Sequence, residues 1–482
     1  MRGFVGRGSE LRALHTELEQ ARETGGGRLV TVRGRRQVGK SWLVEQWLED
    51  YGGPSVFFEA HGYTETRELE RFREALAGSS LPSAQAASGV TFADWEAALT
   101  LASANATQAV PGVIVLDEFP DLCNKARDAD GNPAPSPQEG AVRAAWRDLQ
   151  KRPIVLVLIG SDLAMMERLT TYGFPLYQRP TRQLVVNPLS PHEVSRMTGR
   201  SGADALDAYL VTGGFPQIVR LWTSGSMEAF LRGALADPSS EFVRSAERIL
   251  DGELPAGVQA RTVLSLIGSG ERTYSGIASG AGIKGNVLSR PLTTLMDKRI
   301  INALLPISTA PSDAKRYYIG DPYLRFWLRF IEPRRGQIDR GIGRASAASI
   351  AATFGDYAGR AIEPIVRSGI ERMVANGDGR FGATGIVGGY WTKDNSVEID
   401  LVGADKESPP VKSVSFVGTV KWRGSKPLDG HDVAALQRSS ELMNGVTPRT
   451  TIVGVSRAGF GDIAREIVKV TPDEILEAFP AD

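Results

Sequence analysis

Apolar residues fall along this chain in patterns that change twice. In the first part they gather in short stretches at 29–32, 55–59, 113–116, 154–159 and 184–186. These runs are too short for helices and rich in β-branched residues, so they read as buried strands. Between them, apolar positions at helical spacing predict helices over 9–21, with Ser9 as N-cap, over 42–48, near 65–77 and over 92–103. The small-residue stretch 78–89 reads as a mobile loop, and the polar, Pro-rich stretch 128–140 as an exposed one.

Pro188 and Pro191 mark a boundary, and residues 204–253 then read as several amphipathic helices. From Val258 the spacing becomes that of a helix-turn-helix: 258–268, 274–278 and 286–298, with Val287, Leu288, Leu292 and Leu295 apolar. Pro291 suits only a first turn, which predicts that this last helix begins near Leu288. Residues 299–305 and 315–319 read as the two strands of a wing, and 321–330 as an aromatic stripe for packing between domains. The last part predicts a helix over 357–373, strands at 385–391, 397–402 and 414–422, a helix over 432–443 and a strand at 450–455.

At 482 residues the chain is too long for one core, and about three or four domains are expected. Lys+Arg and Asp+Glu both total 56, so no global field draws nucleic acid or an anionic membrane. A single cysteine, Cys123, excludes an internal disulfide and suits a reducing compartment. No apolar run has transmembrane length and no leader is evident, so a cytoplasmic protein without membrane contact is expected.

The chemistry concentrates after the first strand. Gly34-Arg35-Arg36-Gln37-Val38-Gly39-Lys40-Ser41 is G-x-x-x-x-G-K-[ST] without a mismatch, set between a strand and a helix. Glycines let the backbone curl round a phosphate, and helix-start amides point at it. Lys40 offers charge to the outer phosphates, and Ser41 a hydroxyl to Mg²⁺. The strand at 113–116 ends in Asp117-Glu118, at the sheet edge where ligands bind. Asp117 would hold the metal, directly or through water, and Glu118 would orient and deprotonate an attacking water. Ser161, after the strand at 154–159, could sense the γ-phosphate. Asp128, Asp130, Asn132 and Glu139 imitate a calcium loop, but Pro133 stands where that loop needs Gly, so no calcium is expected.

Phe4-Val5-Gly6-Arg7, the P-loop, Leu116-Asp117-Glu118, Gly160-Ser161-Asp162 with Met165-Met166-Glu167, Pro175-Leu176-Tyr177, Arg179 and Gly213-Gly214-Phe215-Pro216 occur in one order. Together they resemble the prokaryotic and archaeal-type ATPases of the AAA+/STAND group. The resemblance implies that Val5 and Arg7 lie near an adenine and that Ser161 is a sensor. It also implies that Arg179 is a sensor or a finger reaching a neighbouring subunit of a homo-oligomer, and that the Gly-Gly-x-Pro turn belongs to a helical lid. Residues 258–320 resemble a winged helix, with Lys284, Arg290 and Lys298 on its second helix. That module either contacts DNA in the major groove or serves as a structural or switching piece.

The last part, with Glu398-Ile399-Asp400 and Lys421-Trp422, resembles the restriction-endonuclease-like domain that accompanies this ATPase group. That resemblance implies an Asp on one strand and D/E-x-K on the next, two carboxylates holding a divalent metal. Asp400 and Lys421 fit, but the second acid is Thr419. A neutral hydroxyl leaves one carboxylate, a poor Mg²⁺ site unless Glu363 or Glu398 compensates. A degenerate domain is expected.

The expected fold is α/β: a parallel-sheet P-loop ATPase domain at 1–195, a helical lid at 196–255, a winged helix at 256–335 and a restriction-endonuclease-like α/β/α domain at 345–482. The expected activity is Mg²⁺-dependent ATP binding and hydrolysis that drives a conformational switch, with DNA or a protein partner at the C-terminal half. The alternatives are an ATP-gated DNA nuclease and a nucleotide-holding regulatory module with negligible turnover.

Overall fold

A computed structural model describes residues 5–123, 134–222, 225–254 and 258–480. The chain divides into two compact units, Gly6–Pro188 and the residues from Leu189 onward, with Val5 grouped in the latter.

In the first unit the five apolar runs are strands β1 (Arg28–Arg33), β2 (Ser55–Glu59), β3 (Gly112–Asp117), β4 (Ile154–Gly160) and β5 (Arg182–Val185). They form one sheet in the order β2-β3-β4-β1-β5, and every pair is parallel. Strands β3 and β4 are buried along their whole length, as continuous apolar runs covered on both faces must be. On one side Phe58, Phe72 and Trp95 pack as a cluster of rings with centroids 5.3–5.8 Å apart. The order inserts β4 between the P-loop strand β1 and the Asp-Glu strand β3. The residues that follow β4 therefore emerge between the two motifs.

Several local expectations are corrected. Ser9 does not cap the first helix, which spans Gly8–Thr24; Arg7 holds that position in a left-handed conformation, and the Ser9 hydroxyl bonds Glu10. Stretch 78–89 is packed: it contains the helix Ala84–Ala87, Leu81 and Ala87 are buried, and the Ser83 hydroxyl donates to the Ala102 carbonyl at 2.9 Å. The 92–103 helix begins only at Trp95, where Asp94 accepts from the Ala97 amide. Of the calcium-like loop, Asp128, Asp130, Asn132 and Pro133 lie outside the described residues. Glu139 is buried in the first turn of the helix Pro137–Leu149, which Ser136 caps.

The second unit opens with helices, including Gly202–Thr212 and Glu241–Glu253. Helices Val258–Ser269, Tyr274–Ala281 and Gly285–Asp297 follow, then an antiparallel pair, β6 (Ile301–Leu304) and β7 (Arg316–Ile319). Pro291 lies inside the third helix rather than near its start. Leu288, Leu292 and Leu295 are all buried on one face, and that packing holds the helix despite the hydrogen bond the proline removes. The aromatic stripe is a short helix, Pro322–Phe326, running into a π-turn, Trp327–Ile331. Tyr323 and Trp327 donate to the carbonyls of Phe242 and Val243, fastening it to helix Glu241–Glu253.

The C-terminal sheet contains β8 (Ile386–Trp391), β9 (Glu398–Ala404), β10 (Val414–Lys421), β11 (Thr451–Ser456) and β12 (Val468–Val470), in the order β12-β11-β10-β9-β8. Its first three strands pair antiparallel and its last three parallel. The single helix expected over 357–373 is two, Ser346–Ala361 and Glu363–Ala375. Pro364 cannot donate to the preceding turn, so the chain restarts there.

The connection between β6 and β7 does not stand free as a wing tip. Ile307 is buried in the core of the C-terminal sheet with Ile399, Val402 and Val414, and its amide donates to the Gly389 carbonyl at 2.8 Å. Arg316 of β7 pairs with Glu398, bonds Asn395 and lies over the Trp391 ring at 4.5 Å.

Candidate functional site

The P-loop curls between β1 and the helix Lys40–Tyr51, with left-handed residues at Gln37 and Gly39. Gly34 is required by contact: a Cβ there would lie 2.3 Å from the Val186 carbonyl oxygen, so any side chain would push the loop off the sheet. At the helix start, first-turn amides have no intrahelical partner and form a ready anion site. Arg7 braces the loop from behind, its buried guanidinium donating to the Val38 carbonyl at 2.9 Å and pairing with Glu10 at 3.3 Å. Arg36 is exposed on the rim.

Lys40 is 5% exposed, and its ammonium donates to the Arg35 carbonyl at 3.1 Å. Burial pushes its pKa down, while Glu118 and Asp117 pull it back up. A buried ammonium is costly to keep charged, and a phosphate beside it would offset that cost. Asp117 is 3% exposed; burial pushes its carboxyl up, opposed by bonds from the Ser41 hydroxyl and the Glu118 amide. A hydroxyl and a carboxylate already in contact at the loop form the oxygen pair that suits Mg²⁺. The residues present therefore fit both ATP and its metal.

Glu118 leaves β3 in a left-handed turn, φ 48° and ψ 44°, which swings its side chain away from the strand. The carboxylate accepts from the Ser161 hydroxyl at 2.8 Å and from the Ser161 amide at 3.3 Å. The structure thus gathers Lys40, Ser41, Asp117, Glu118 and Ser161 at one sheet edge. Glu59, read from the sequence only as the end of a strand, is the register partner of Asp117 across β2 and β3. Its signal was a second apolar strand, like β3, ending in an acid. Arg179 is not gathered in: it is exposed and carries no side-chain ion pair among the described residues. Val5 lies in the other unit.

Residues 3–159 match the AAA ATPase domain. Residues 327–433 match a family described as archaeal and bacterial proteins of unknown function. An uncharacterized protein of Methanocaldococcus jannaschii is 24% identical over 444 residues, 91% of this chain and 92% of the relative. Among solved structures, the Walker-type ATPase of Pyrococcus abyssi overlays at TM-score 0.44 and 19% identity, covering 68% of this chain and 96% of its own. The ORC2 protein of Aeropyrum pernix overlays at 0.45 and 14% identity, covering 72% and 98%. No helix among the described residues is long and apolar enough to cross a membrane.

The second candidate cluster lies on β9, β10 and the helix Glu363–Ala375. Asp400 is bound by its neighbours: one carboxylate oxygen accepts from the Thr419 hydroxyl at 3.0 Å and the Val420 amide at 2.8 Å. Glu363 pairs with Arg367 at 2.9 Å. Burial pushes the Glu363 carboxyl up to about 7, against the pull of Arg367. Glu398 is taken by Arg316 and Arg272. Lys421 has its ion pair with Asp432, at 3.9 Å, rather than with Asp400. Among the described residues no group of three or more His, Cys, Asp or Glu is placed to hold a metal ion. Arg367 escaped the sequence reading, although its i,i+4 spacing from Glu363 on a helix was visible.

Proposed function

We propose that this chain binds and hydrolyses ATP with Mg²⁺ and uses the cycle as a conformational switch on DNA or a protein partner engaged by residues 189–480. The observation that carries the reading is the convergence of Lys40, Ser41, Asp117, Glu118 and Ser161 at one end of a parallel sheet. Lys40 and the first-turn amides bind the outer phosphates. Ser41 and Asp117 would hold Mg²⁺, which supplies neutralisation of developing phosphate charge when bound. Glu118 takes the proton of the attacking water, and Ser161 fixes where its carboxylate points. The acid that ends β3 favours turnover over mere holding of nucleotide.

In this reading residues 1–195 form the ATPase domain, 196–255 a helical lid, 256–335 a winged helix and 345–482 a degenerate restriction-endonuclease-like domain. The burial of Ile307 in the C-terminal sheet supports a winged helix that connects, rather than one whose wing reads DNA. Arg179, exposed and unpaired in its ions, is the candidate contact to a second copy of the chain. The test is steady-state ATPase with separate nucleotide binding by fluorescence: Lys40→Ala is expected to lose both, and Glu118→Gln to keep binding and lose turnover. Equal turnover in wild type and Glu118→Gln would overturn the assignment.

A further inference from the structure

The cluster at Glu363, Asp400 and Thr419 encloses an arginine. The guanidinium of Arg367 sits inside it, with Nη2 2.9 Å from Glu363 and both Nε and Nη2 donating to the Asp400 carbonyl oxygen at 2.9 and 2.7 Å. Its side chain is 12% exposed, and that of Glu363 13%. Strand β8 gives way to accommodate it: a Cβ on Gly389 would lie 2.6 Å from Arg367 Nη2, and the β8–β9 register shifts between Gly388 and Tyr390. The same cluster fixes one Asp400 carboxylate oxygen with Thr419 and the Val420 amide.

We infer that the Arg367 guanidinium is the resident cation of this cluster, standing where the resemblance would put a divalent metal, so that the site is closed to Mg²⁺ and Mn²⁺ by a built-in charge as well as by the missing acid. A small divalent ion needs near-octahedral oxygen ligands at short distance. Here the Glu363 carboxylate, the Asp400 carbonyl and one Asp400 carboxylate oxygen are all bonded to protein donors. A metal would have to displace a buried guanidinium whose ion pair among the described residues is with Glu363, and like charges at that range repel strongly. The inference rests on the proposed reading of residues 345–482 as a degenerate restriction-endonuclease-like domain, and adds to the missing acid at Thr419 a cation already in place. Restoring the acid at 419 is therefore not sufficient to restore the metal. The cluster instead welds the helix Glu363–Ala375 to β9 without a cofactor.

The experiment is Mn²⁺ binding, followed by electron paramagnetic resonance, on the full chain without nucleotide. A Lys40→Ala background is used so that the P-loop contributes no nucleotide-linked metal. The background protein and its Thr419→Glu variant are expected to bind no Mn²⁺ at this site. Thr419→Glu with Arg367→Met is expected to bind one ion at least about tenfold more tightly than Thr419→Glu alone, and to lose it on Asp400→Asn. A folded double variant that binds no better overturns the inference, as does Mn²⁺ bound by Thr419→Glu or by the background protein and lost on Asp400→Asn. Should the methionine variant fail to fold, Thr419→Glu with Arg367→Lys keeps a cation in place. It is expected to fold and remain silent, and Mn²⁺ binding by it overturns the inference equally. Failure of ATP hydrolysis affects none of these readouts.

Discussion

Ser161 is the residue whose role the structure makes most open to measurement. Its hydroxyl and amide both donate to the Glu118 carboxylate, at 2.8 and 3.3 Å. Ser161→Ala removes the hydroxyl and leaves the amide. A hydrogen bond to a charged group contributes about 1.5–3 kcal/mol, and each 1.36 kcal/mol of barrier is tenfold in rate. If that energy serves to hold Glu118 on the attacking water, Ser161→Ala should slow hydrolysis about 10- to 100-fold. Glu118→Gln should slow it by about 10²–10⁴. The double variant Ser161→Ala/Glu118→Gln is then expected to be no slower than Glu118→Gln alone, because the hydroxyl acts through the carboxylate. The assay is single-turnover hydrolysis at saturating ATP, with affinity measured separately. A double variant slowed by the full product of the two factors would refute the reasoning. It would mean that Ser161 contacts the phosphate independently of Glu118.

Lys40→Ala should abolish ATP binding, measured by equilibrium fluorescence, since the phosphate charge loses its buried partner. If Arg179 reaches a second copy, turnover per chain should rise with protein concentration and Arg179→Ala should remove the rise; a flat rate in a demonstrated monomer would exclude this. The Glu363 carboxyl is raised above its unfolded value of 4.5 to about 7 by burial. Its protonated form therefore favours the fold below pH 4.5, and that advantage is lost as pH rises through 7. Relative to Glu363→Gln, wild-type stability should fall by roughly 3 kcal/mol across that window, read from urea melts. No metal-dependent cleavage of linear, supercoiled or single-stranded DNA is expected, with or without ATP. Cleavage lost in both Asp400→Ala and Lys421→Ala would contradict this.

The strands were legible because parallel strands covered on both faces must be continuous apolar runs, as in β3 and β4. The P-loop and Asp117-Glu118 were legible because phosphate and metal chemistry restrict residue type and spacing so narrowly. The Glu118–Ser161 contact was not, since it depends on β4 lying between β1 and β3, a matter of sheet order that no local pattern carries. Pro291 misled for a related reason: a proline rule is local, whereas three buried leucines hold the helix. Ile307 follows Leu304-Leu305-Pro306 in the connection between two short strands, and nothing in that local run signals that it fills another sheet's core. Strand β12 and the helix Pro472–Glu477 were too short to show a period.

Two fastenings tie parts of the second unit to its C-terminal sheet. Asp207, buried on the helix Gly202–Thr212, accepts from the Trp422 indole at 2.7 Å and from Arg457 at 2.9 Å. This anchors the first helices of the unit to the C-terminal sheet. Ile307 and the Arg316–Glu398 pair anchor the β6–β7 connection to the same sheet. The first is a buried polar contact, costly to break because it would leave the Asp207 carboxylate short of partners in a dry site; the second combines the apolar burial of Ile307 with an ion pair whose Glu398 side chain is 37% exposed. These contacts join the helix Gly202–Thr212 and the β6–β7 connection to the C-terminal sheet. Asp207→Ala should uncouple that helix from the sheet: amide exchange in Gly202–Thr212 and around Trp422 should rise while ATP turnover by residues 6–188 persists. Unchanged exchange at both places would show that this anchor does not hold them together.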